Sequence, residues 1–485
     1  MKSSWISLLL CLGVFGTVSG FRVSGFRASA HKICKTTMGM TALPTRTYAT
    51  LMTKRILQLS TVSLSSMALE NKLPRTFGVI DAPTLSFFFS AALSLIPSMK
   101  LDSAISTALQ VAAWQLFLQA SLILSIFSSP RMVNTTGDDY EEERRKKYLL
   151  VPTLFAFLLA ALGSFVGGFI SFVLIQNPKI ASLPFIKITE SLKSTLVPIT
   201  SSLTASYIGG TANYFEVSDL LKHLGETPNV INAIDIGVMV LFFCVLNIIK
   251  SSSFFSNLLP RRKWMSSSKQ RSQSHPQLYI EPSQSDPIYW KHQAIKASRI
   301  LKLIAGALLV TKSVVTLSNL LPFRGVSVML TAGIGLYLNS KKPEKRTALF
   351  EEFEILGNIG SLYLLCMFYS VIGLSAGLFE FASVGTPILL LISTILTVHL
   401  SVLLVGSKLL NLVVSKCGSN SISPIDIDSA MVASNAAVGG AATAASYASM
   451  IGRQDLVVSA SVVGILGYTM GTPLGLYLAK IFTTW

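Results

Sequence analysis

Two short stretches of the chain resemble each other: ASYIGGTANYFEV, at 205–217, and ASNAAVGGAATAASYAS, at 433–449. Aligned on Gly209-Gly210 and Gly439-Gly440, both pass from a branched apolar residue through two glycines to a small polar residue, Asn213 or Thr443. Both lie in strongly apolar sequence, where such residues indicate irregular backbone. Irregular backbone at membrane depth survives only when it is buried in protein or lines a cavity. Paired glycine-interrupted segments in two halves of a chain therefore predict a transporter's binding site.

The composition is that of an integral membrane protein. Apolar residues make up 51% of the chain and charged residues 13%, whereas soluble domains carry about 25% charged residues. The net charge of +17 lies mainly in the N-terminus and the loops, a distribution that reports orientation in the membrane rather than nucleic-acid binding. The five cysteines show no metal-ligand or disulfide spacing, so we expect no metal and no cofactor.

The first 75 residues have the composition of targeting sequence. Residues 1–20 carry Lys2, an apolar run and a small-residue end, which predicts a signal peptide. Residues 21–75 hold nine Lys or Arg and a single acid, which is typical of a transit-like presequence. The tandem resembles the bipartite presequence of algae with complex plastids, with Phe21 at the aromatic position. We expect a plastid (chloroplast) membrane; the alternative is a secretory-pathway or plasma membrane.

The remainder predicts an all-α membrane protein of two halves, 76–249 and 298–485, joined by a flexible basic linker, 250–297. A transmembrane helix needs about 20 apolar residues. The candidate spans are 76–97, 104–128, 148–175, 228–249, 298–319, 323–339, 355–379, 385–412 and 456–482. The glycine stretches occupy two further apolar segments, 184–217 and 422–450, which gives about 9–11 transmembrane segments in all.

Loop charges predict how the glycine segments enter the membrane. Loop 129–147, the linker and loop 340–350 are all basic, so they should share one side of the membrane. They do so only if the first glycine segment enters and returns on the same side. The two segments would then be re-entrant hairpins from opposite sides, as expected of inverted-topology repeats. Broken helices that cross the membrane remain the alternative.

Several stretches resemble the domain of unknown function 819 family of membrane proteins. They are SLYLLCMFYSVIGLSAG at 361–377, VHLSVLLVGSKLL at 398–410, VASNAAVGGAATAA at 432–445, LVVSASVVGILGYTMGTPLG at 456–475 and SYIGGTANYFEV at 206–217. The resemblance covers nearly all of 76–485. Its architecture is similar to that of the glutamate–sodium symporters and other inverted-repeat carriers. It implies a secondary transporter working by alternating access and, by analogy, a possible homodimer.

The residues suited to binding a small polar solute lie in the two motifs. Glycines let backbone approach a solute, and helix ends at a break attract ions. The candidate substrate-binding residues are Gly209, Gly210, Thr211, Asn213, Ser434, Asn435, Gly439, Gly440 and Thr443. The first motif has Ala205 where the second has Asn435, so we expect an asymmetric site. The alternative for the motifs is close helix packing without a ligand.

Two acids are candidates for coupling transport to Na⁺ or H⁺. Asp235 lies inside a predicted span, where an ionisable residue is expected to be functional. Asp428 precedes an apolar helical run and could instead cap that helix. His399 stands alone in a span, as a proton relay or as an interhelical hydrogen-bonding residue.

We therefore expect a secondary transporter of a small polar solute, an organic anion or an amino acid, coupled to Na⁺ or H⁺. Two alternatives keep the fold: a non-transporting receptor and a passive channel. An intramembrane enzyme is disfavoured because the sequence has no catalytic motif, and we assign no catalytic residue.

Overall fold

The structure is a computed structural model that describes residues 45–70, 82–96, 103–129, 139–177, 179, 190–221, 228–256, 258–261, 287–318, 326–341, 348–375, 378–416 and 423–484. Within these ranges the secondary structure is entirely helical. The predicted signal peptide, 1–20, lies outside the described residues, as do the first part of the predicted presequence and most of the linker.

Fifteen α-helices run through the described residues, with a π-helical turn at Ala113–Phe117 and a 3-10 turn at Gln454–Leu456. In chain order they are α1 Thr45–Glu70, α2 Ala82–Leu93, α3 Ser103–Ala112, α4 Leu118–Ser128, α5 Asp139–Gln176, α6 Glu190–Gly209, α7 Thr211–Leu221, α8 Pro228–Ser251, α9 Ser253–Ser256, α10 Pro287–Ser318, α11 Val326–Ser340, α12 Ala348–Ser375, α13 Leu378–Lys416, α14 Ile427–Met450 and α15 Val457–Thr484.

Among the described residues, seven segments are long and apolar enough to cross a membrane. They are Ala108–Ser128, Leu149–Gln176, Ile234–Ser251, Ile295–Ser318, Glu352–Ser375, Thr386–Lys416 and Gln454–Thr484, and each coincides with a predicted span. The predicted spans 76–97 and 323–339 correspond to shorter helices, α2 with 12 residues and α11 with 15. The all-helical membrane fold is therefore confirmed.

The helix α1 lies inside the predicted presequence and packs against the membrane helices. Its buried face is rich in serine: Ser63 is fully buried, and its hydroxyl lies 3.2 Å from that of Ser370 in α12. One turn earlier, Ser60 forms a hydrogen bond with the Tyr363 hydroxyl. Small side chains at i and i+3 let two helices approach closely. Residues 45–70 thus form part of the folded bundle in this structure.

The helix α10 begins at Pro287, inside the range 250–297 that the sequence predicts as a linker. Proline is favoured at the first position of a helix because its missing N–H has no intrahelical partner there. The few apolar residues before 298 hid this first part of the helix from a reading based on hydropathy.

Several helices pack against helices of the other half, and these contacts occur in corresponding pairs. α1 packs on α2 and α12, and α10 packs on α11 and α4. α2 packs on α12, just as α11 packs on α4. At the centre α5 packs along α13, with Gly163 and Gly167 of α5 facing backbone atoms of α13 at His399 and Ile395. These contacts of α1, α2, α10 and α11 therefore correspond to one another across the two halves.

Candidate functional site

The first glycine stretch forms a helical hairpin. α6 and α7 are separated at Gly210, whose φ is +80°, a left-handed conformation that glycine adopts without steric cost. A β-carbon built on Gly475 of α15 would lie 3.0 Å from the Ser201 carbonyl oxygen and 3.1 Å from Val217 Cγ2. In a continuous helix, residues 201 and 217 would be about 24 Å apart. The chain therefore reverses at Gly210, and α6 and α7 lie side by side.

The second glycine stretch forms a hairpin of the same kind within α14. Gly440 has φ +82° and ψ −172° and interrupts the helix. The Arg453 guanidinium beyond the end of α14 donates to Asp428 in its first turn, with Nη1 and Oδ2 2.9 Å apart. A straight helix of 24 residues would be about 36 Å long. The two ends meet because α14 folds back on itself at Gly440.

The tips of the two hairpins touch. A β-carbon on Gly210 would lie 3.3 Å from the Gly439 carbonyl carbon and 3.3 Å from Gly440 Cα. The tip residues are buried, and every residue of α14 from Ser429 to Ala448 is buried as well. The structure thus brings together the two glycine pairs, which are 230 positions apart, at one point in the interior.

α15 packs against both hairpins through glycines spaced along one face. A β-carbon on Gly467 would lie 2.8 Å from the Ile208 carbonyl oxygen, and one on Gly471 would lie 2.9 Å from that of Ala205. Gly464 faces Ala441, just after the tip of the second hairpin. Their spacing of three and four residues puts them on one helical face. These glycines lie in the stretch 456–475 quoted above, whose Gly-Tyr-x-x-Gly-Thr pattern, at 467–472, contributes to the family resemblance.

The side chain of Asn213 in the first hairpin forms hydrogen bonds with α15 through both its amide nitrogen and its amide oxygen. Its side-chain nitrogen donates to the Gly467 carbonyl oxygen at 3.3 Å, and its Oδ1 accepts from the Thr472 hydroxyl at 3.0 Å. Thr472 also lies 3.0 Å from Glu216 Oε2. Thr211, at the start of α7, is buried beside the tip. The first motif is therefore held mainly by α15.

A chain of hydrogen bonds runs from one hairpin to the other through His399. Its Nδ1 lies 2.8 Å from the Ser164 hydroxyl, and its Nε2 lies 2.8 Å from the Ser434 hydroxyl of the second hairpin. Ser164 also donates to the Tyr207 carbonyl oxygen of the first hairpin at 2.6 Å. His399 is fully buried. This is the interhelical hydrogen-bonding arrangement that the sequence left open beside a proton relay.

Asp235 of α8 contacts the first hairpin at Ser206, four residues before the hairpin tip at Gly210. The Ser206 hydroxyl donates to Asp235 Oδ2 at 2.9 Å, and the buried Tyr207 side chain also interacts with this carboxyl group. Asp235 is 1% exposed, and its Oδ1 has no hydrogen-bond partner among the described residues. A buried carboxyl group with an unsatisfied oxygen is costly in a membrane interior. It is a position where a proton or cation would relieve that cost.

Asp428 is an ion-pair partner and does not cap the helix. The N-cap of α14 is Asp426, whose Oδ1 accepts from the Ser429 backbone N–H at 2.7 Å. Arg453, with 5% of its side chain exposed, binds Asp428 and also Asp455 at 2.9 Å. Burial raises the pKa of Asp426, and the nearby positive charge of Arg453 opposes that rise. The ion pairs of Arg453 connect the two ends of the second hairpin, away from its tip at Gly440.

A small cleft with a cavity volume of ≈ 20 Å³ opens beside the second hairpin. Asn435 of its first arm and Thr443 and Tyr447 of its second arm contribute to the lining, with α2, α8 and α12 opposite. Asn435 is 1% exposed, and its Oδ1 has no hydrogen-bond partner among the described residues. Of the predicted substrate-binding residues, only Asn435 and Thr443 line this cleft. The first motif contributes none of the lining residues that the structure describes.

Comparison with known proteins identifies the family of the chain. The family model described as "Protein of unknown function (DUF819)" matches residues 148–485, more than half of the chain. The chain belongs to this family. It is also similar to a Bacillus subtilis (strain 168) protein described as "Uncharacterized membrane protein YjcL", with 25% identity over 348 residues that cover 68% of this chain and 76% of that protein. The matched region of this DUF819 protein contains both hairpins, α13 and α15.

Proposed function

We propose that this DUF819 protein is a secondary transporter of a small polar solute, coupled to Na⁺ or H⁺, that works by alternating access. The observation that carries the proposal is the contact between two buried hairpin tips at Gly210 and Gly440. Each tip ends one helical arm and begins another, so partial charges of both signs meet inside the bundle. Such termini recognise ions and solutes in carriers, and close packing alone would not require chain reversals there.

The helix contacts support two repeats of inverted topology. We pair α1 with α10, α2 with α11, α4 with α12, α5 with α13, the first hairpin with the second, and α8 with α15. If the hairpins re-enter, each half crosses the membrane five times by this pairing. An odd number of crossings inverts the second half relative to the first. In this arrangement α1 is the first helix of the first repeat, and a removable presequence would end before Thr45.

Asp235 is the residue to which we assign ion coupling. Its unsatisfied oxygen and its contact with Ser206 tie its charge state to the hairpin whose tip touches the other hairpin. Binding a proton or Na⁺ there would change the balance between conformations by the ion's differential affinity for them. Asp428 is a weaker candidate because Arg453 already neutralises it.

Gradient-driven uptake into proteoliposomes tests the function. The probes are radiolabelled L-alanine, L-glutamate and citrate, which represent a neutral amino acid, an acidic amino acid and an organic anion. We expect at least one to accumulate above equilibrium under an imposed Na⁺ or H⁺ gradient. Equilibration that ignores both gradients would indicate a channel, and no uptake of any probe would favour a receptor.

Asp235→Asn tests the coupling. The neutral amide keeps the volume but cannot change charge, so accumulation under the gradient should be lost while solute binding persists. Asp219→Asn is the matched control because it removes an exposed carboxyl group from the second arm of the first hairpin. Full accumulation by Asp235→Asn, equal to that of the control, would exclude Asp235 from coupling.

A further inference from the structure

We infer that Glu216, on the second arm of the first hairpin, is a proton-binding site whose occupancy controls how tightly that hairpin is held against α15. The inference rests on the proposed function and deepens it, because it names H⁺ as a coupling ion and adds a second acidic residue to Asp235. The Glu216 side chain is half-buried, and its Oε2 lies 3.0 Å from the hydroxyl oxygen of Thr472 in α15.

The Thr472 hydroxyl is contacted by two oxygens but has a single hydrogen to donate. It lies 3.0 Å from Asn213 Oδ1 and 3.0 Å from Glu216 Oε2. An amide oxygen can only accept a hydrogen bond, and the same is true of an ionised carboxylate. If Glu216 is ionised, one of the two contacts therefore lacks a hydrogen. Asn213 is 2% exposed, and a buried acceptor without a donor is unfavourable.

The orientation of the Asn213 amide is fixed by its other contact. The amide nitrogen lies 3.3 Å from the Gly467 carbonyl oxygen, which can only accept. Turning the amide over would place two acceptor oxygens against each other at that point. Asn213 Oδ1 therefore faces Thr472, and the hydroxyl hydrogen of Thr472 is used to bond it.

A proton on Glu216 completes the hydrogen bonding of this group. The protonated carboxyl group donates to the Thr472 oxygen, Thr472 donates to Asn213, and Asn213 donates to the Gly467 carbonyl oxygen. Each hydrogen then has one acceptor, and the chain of bonds joins α7 to α15. Both contacts of Thr472 are within the length range of an O–H···O hydrogen bond.

Loss of the proton weakens the same connection. The carboxylate then competes for the Thr472 hydrogen through a charge-assisted hydrogen bond, and Asn213 Oδ1 is left without a donor. Asn213 lies three residues after the hairpin tip at Gly210. The charge state of Glu216 therefore changes how firmly the tip region of the first hairpin is held by α15.

The lysines of the helices that pack against α7 form no ion pair with Glu216. Lys480 of α15 lies eight residues after Thr472, about 12 Å along the helix. Lys193 of α6 is seventeen residues before the hairpin tip and Glu216 six residues after it, which separates them by about 16 Å along the hairpin. Lys250 of α8 lies at the base of the second hairpin. Among the described residues, the ion pairs do not include Glu216.

The remaining titratable groups near α7 leave the proton as the means of neutralising Glu216. Asp235 of α8 interacts with Tyr207 and Tyr214. Tyr214 is two residues before Glu216 and so lies on another face of α7. Asp219, three residues after Glu216, is exposed on the same face, so its negative charge favours a protonated Glu216. The groups at the base, arm and tip of the second hairpin are Asp428, Tyr447 and Tyr468.

Thermal unfolding of the purified full chain in lipid nanodiscs, without solute or gradient, tests the inference. Glu216→Gln imitates the protonated site because its amide can donate to Thr472 at every pH. The stabilisation by the proton is present at acid pH and lost as the pH rises. We expect wild type and Glu216→Gln to unfold at the same temperature near about pH 5, and the wild type to unfold about 2–4 °C lower near about pH 8.

Glu354→Gln is the matched control. It makes the same substitution at a half-buried glutamate of α12, outside both hairpins, and should change with pH as the wild type does. A Glu216→Gln curve parallel to that of the wild type over the whole pH range would overturn the inference. A difference that vanishes when choline replaces Na⁺ at constant pH would also overturn it, because the site would then bind a metal cation.

Substitutions at Thr472 test the route of the effect. Thr472→Val removes the hydroxyl that links Glu216 to Asn213, so adding Glu216→Gln to this variant should no longer change the pH dependence. Thr472→Ser keeps the hydroxyl and should keep the difference. A pH-dependent effect of Glu216→Gln that persists in Thr472→Val would overturn the hydrogen-bond chain.

The results separate this inference from the proposed function. A pH-dependent difference between wild type and Glu216→Gln, in a protein that accumulates none of the three uptake probes, would support the proton site and favour a receptor. Gradient-driven accumulation of a probe together with parallel unfolding curves would support the transporter and remove the proton site at Glu216.

Discussion

Replacing Gly210 by alanine perturbs the contact between the hairpin tips with one methyl group. Gly210 has φ +80°, and the new β-carbon would lie 3.3 Å from two backbone atoms of the opposite tip, the Gly439 carbonyl carbon and Gly440 Cα. Backbone atoms cannot rotate away as a side chain does. The substitution should therefore strain the turn and push the tips apart.

Two other glycines separate these contributions. Gly452 has φ +78° with nothing within 4 Å of its β-carbon position, so Gly452→Ala reports the backbone cost alone, about 1–2 kcal/mol. Gly306 lies in α10, also with open space around it, so Gly306→Ala should stabilise by roughly 1 kcal/mol through helix propensity. Overpacking at Gly210 adds about 1–3 kcal/mol. We expect Gly210→Ala to lower the free energy of unfolding by about 2–5 kcal/mol.

Equilibrium unfolding of the three variants in mixed detergent micelles, followed by circular dichroism and tryptophan fluorescence, measures these differences. The expected order of stability is Gly306→Ala, then Gly452→Ala, then Gly210→Ala. Uptake should fall only in Gly210→Ala, because only that change lies between the tips. A Gly210→Ala protein as stable as Gly452→Ala would refute the tip-to-tip contact.

Two further predictions concern the topology and the first repeat. In a cysteine-free background, Thr136→Cys and Ser267→Cys should react with a membrane-impermeant maleimide from the same side of the bilayer. The reason is that a re-entrant first hairpin leaves an even number of membrane crossings between the two positions. Labelling from opposite sides would show that α6 and α7 together cross the membrane. A chain lacking residues 2–44 should insert and unfold as cooperatively as the full chain, whereas one lacking 2–75 should lose the packing of α1 on α12 and aggregate or unfold earlier; equal stability of the two truncated chains would remove α1 from the first repeat.

Much of the fold follows from hydropathy and glycine spacing. All seven segments that the structure shows as long enough to span a membrane were predicted within a few residues, because about 20 apolar residues are a strong local signal. The helices α1 and α2 were harder to predict from the sequence. The buried face of α1 combines Leu59 with three serines, Ser60, Ser63 and Ser66, and a composition of Ser, Thr and Lys indicates targeting sequence equally well.

The partners of the site residues depended on long-range contacts. Asn213 is held by α15, Ser434 by His399, and Asp428 by Arg453. Each partner lies on another helix or beyond a chain reversal, so spacing in the sequence carries no signal for it. Arg453, the only basic residue between Lys416 and Lys480, was the available hint, since a buried cation requires acidic partners.

The sequence by itself determined that this is a helical membrane protein with two related glycine breaks, because membrane length and the conformational freedom of glycine are properties of local sequence. Only the tertiary structure decided that the breaks at Gly210 and Gly440 reverse the chain and touch each other. It also decided that Asn435 faces a cleft, whereas the side chain of Asn213 is hydrogen-bonded to α15. The physical reason is that a hydrogen-bonding group satisfies itself with whichever neighbour folding brings within about 3 Å, and that neighbour is set by the packing of the whole bundle.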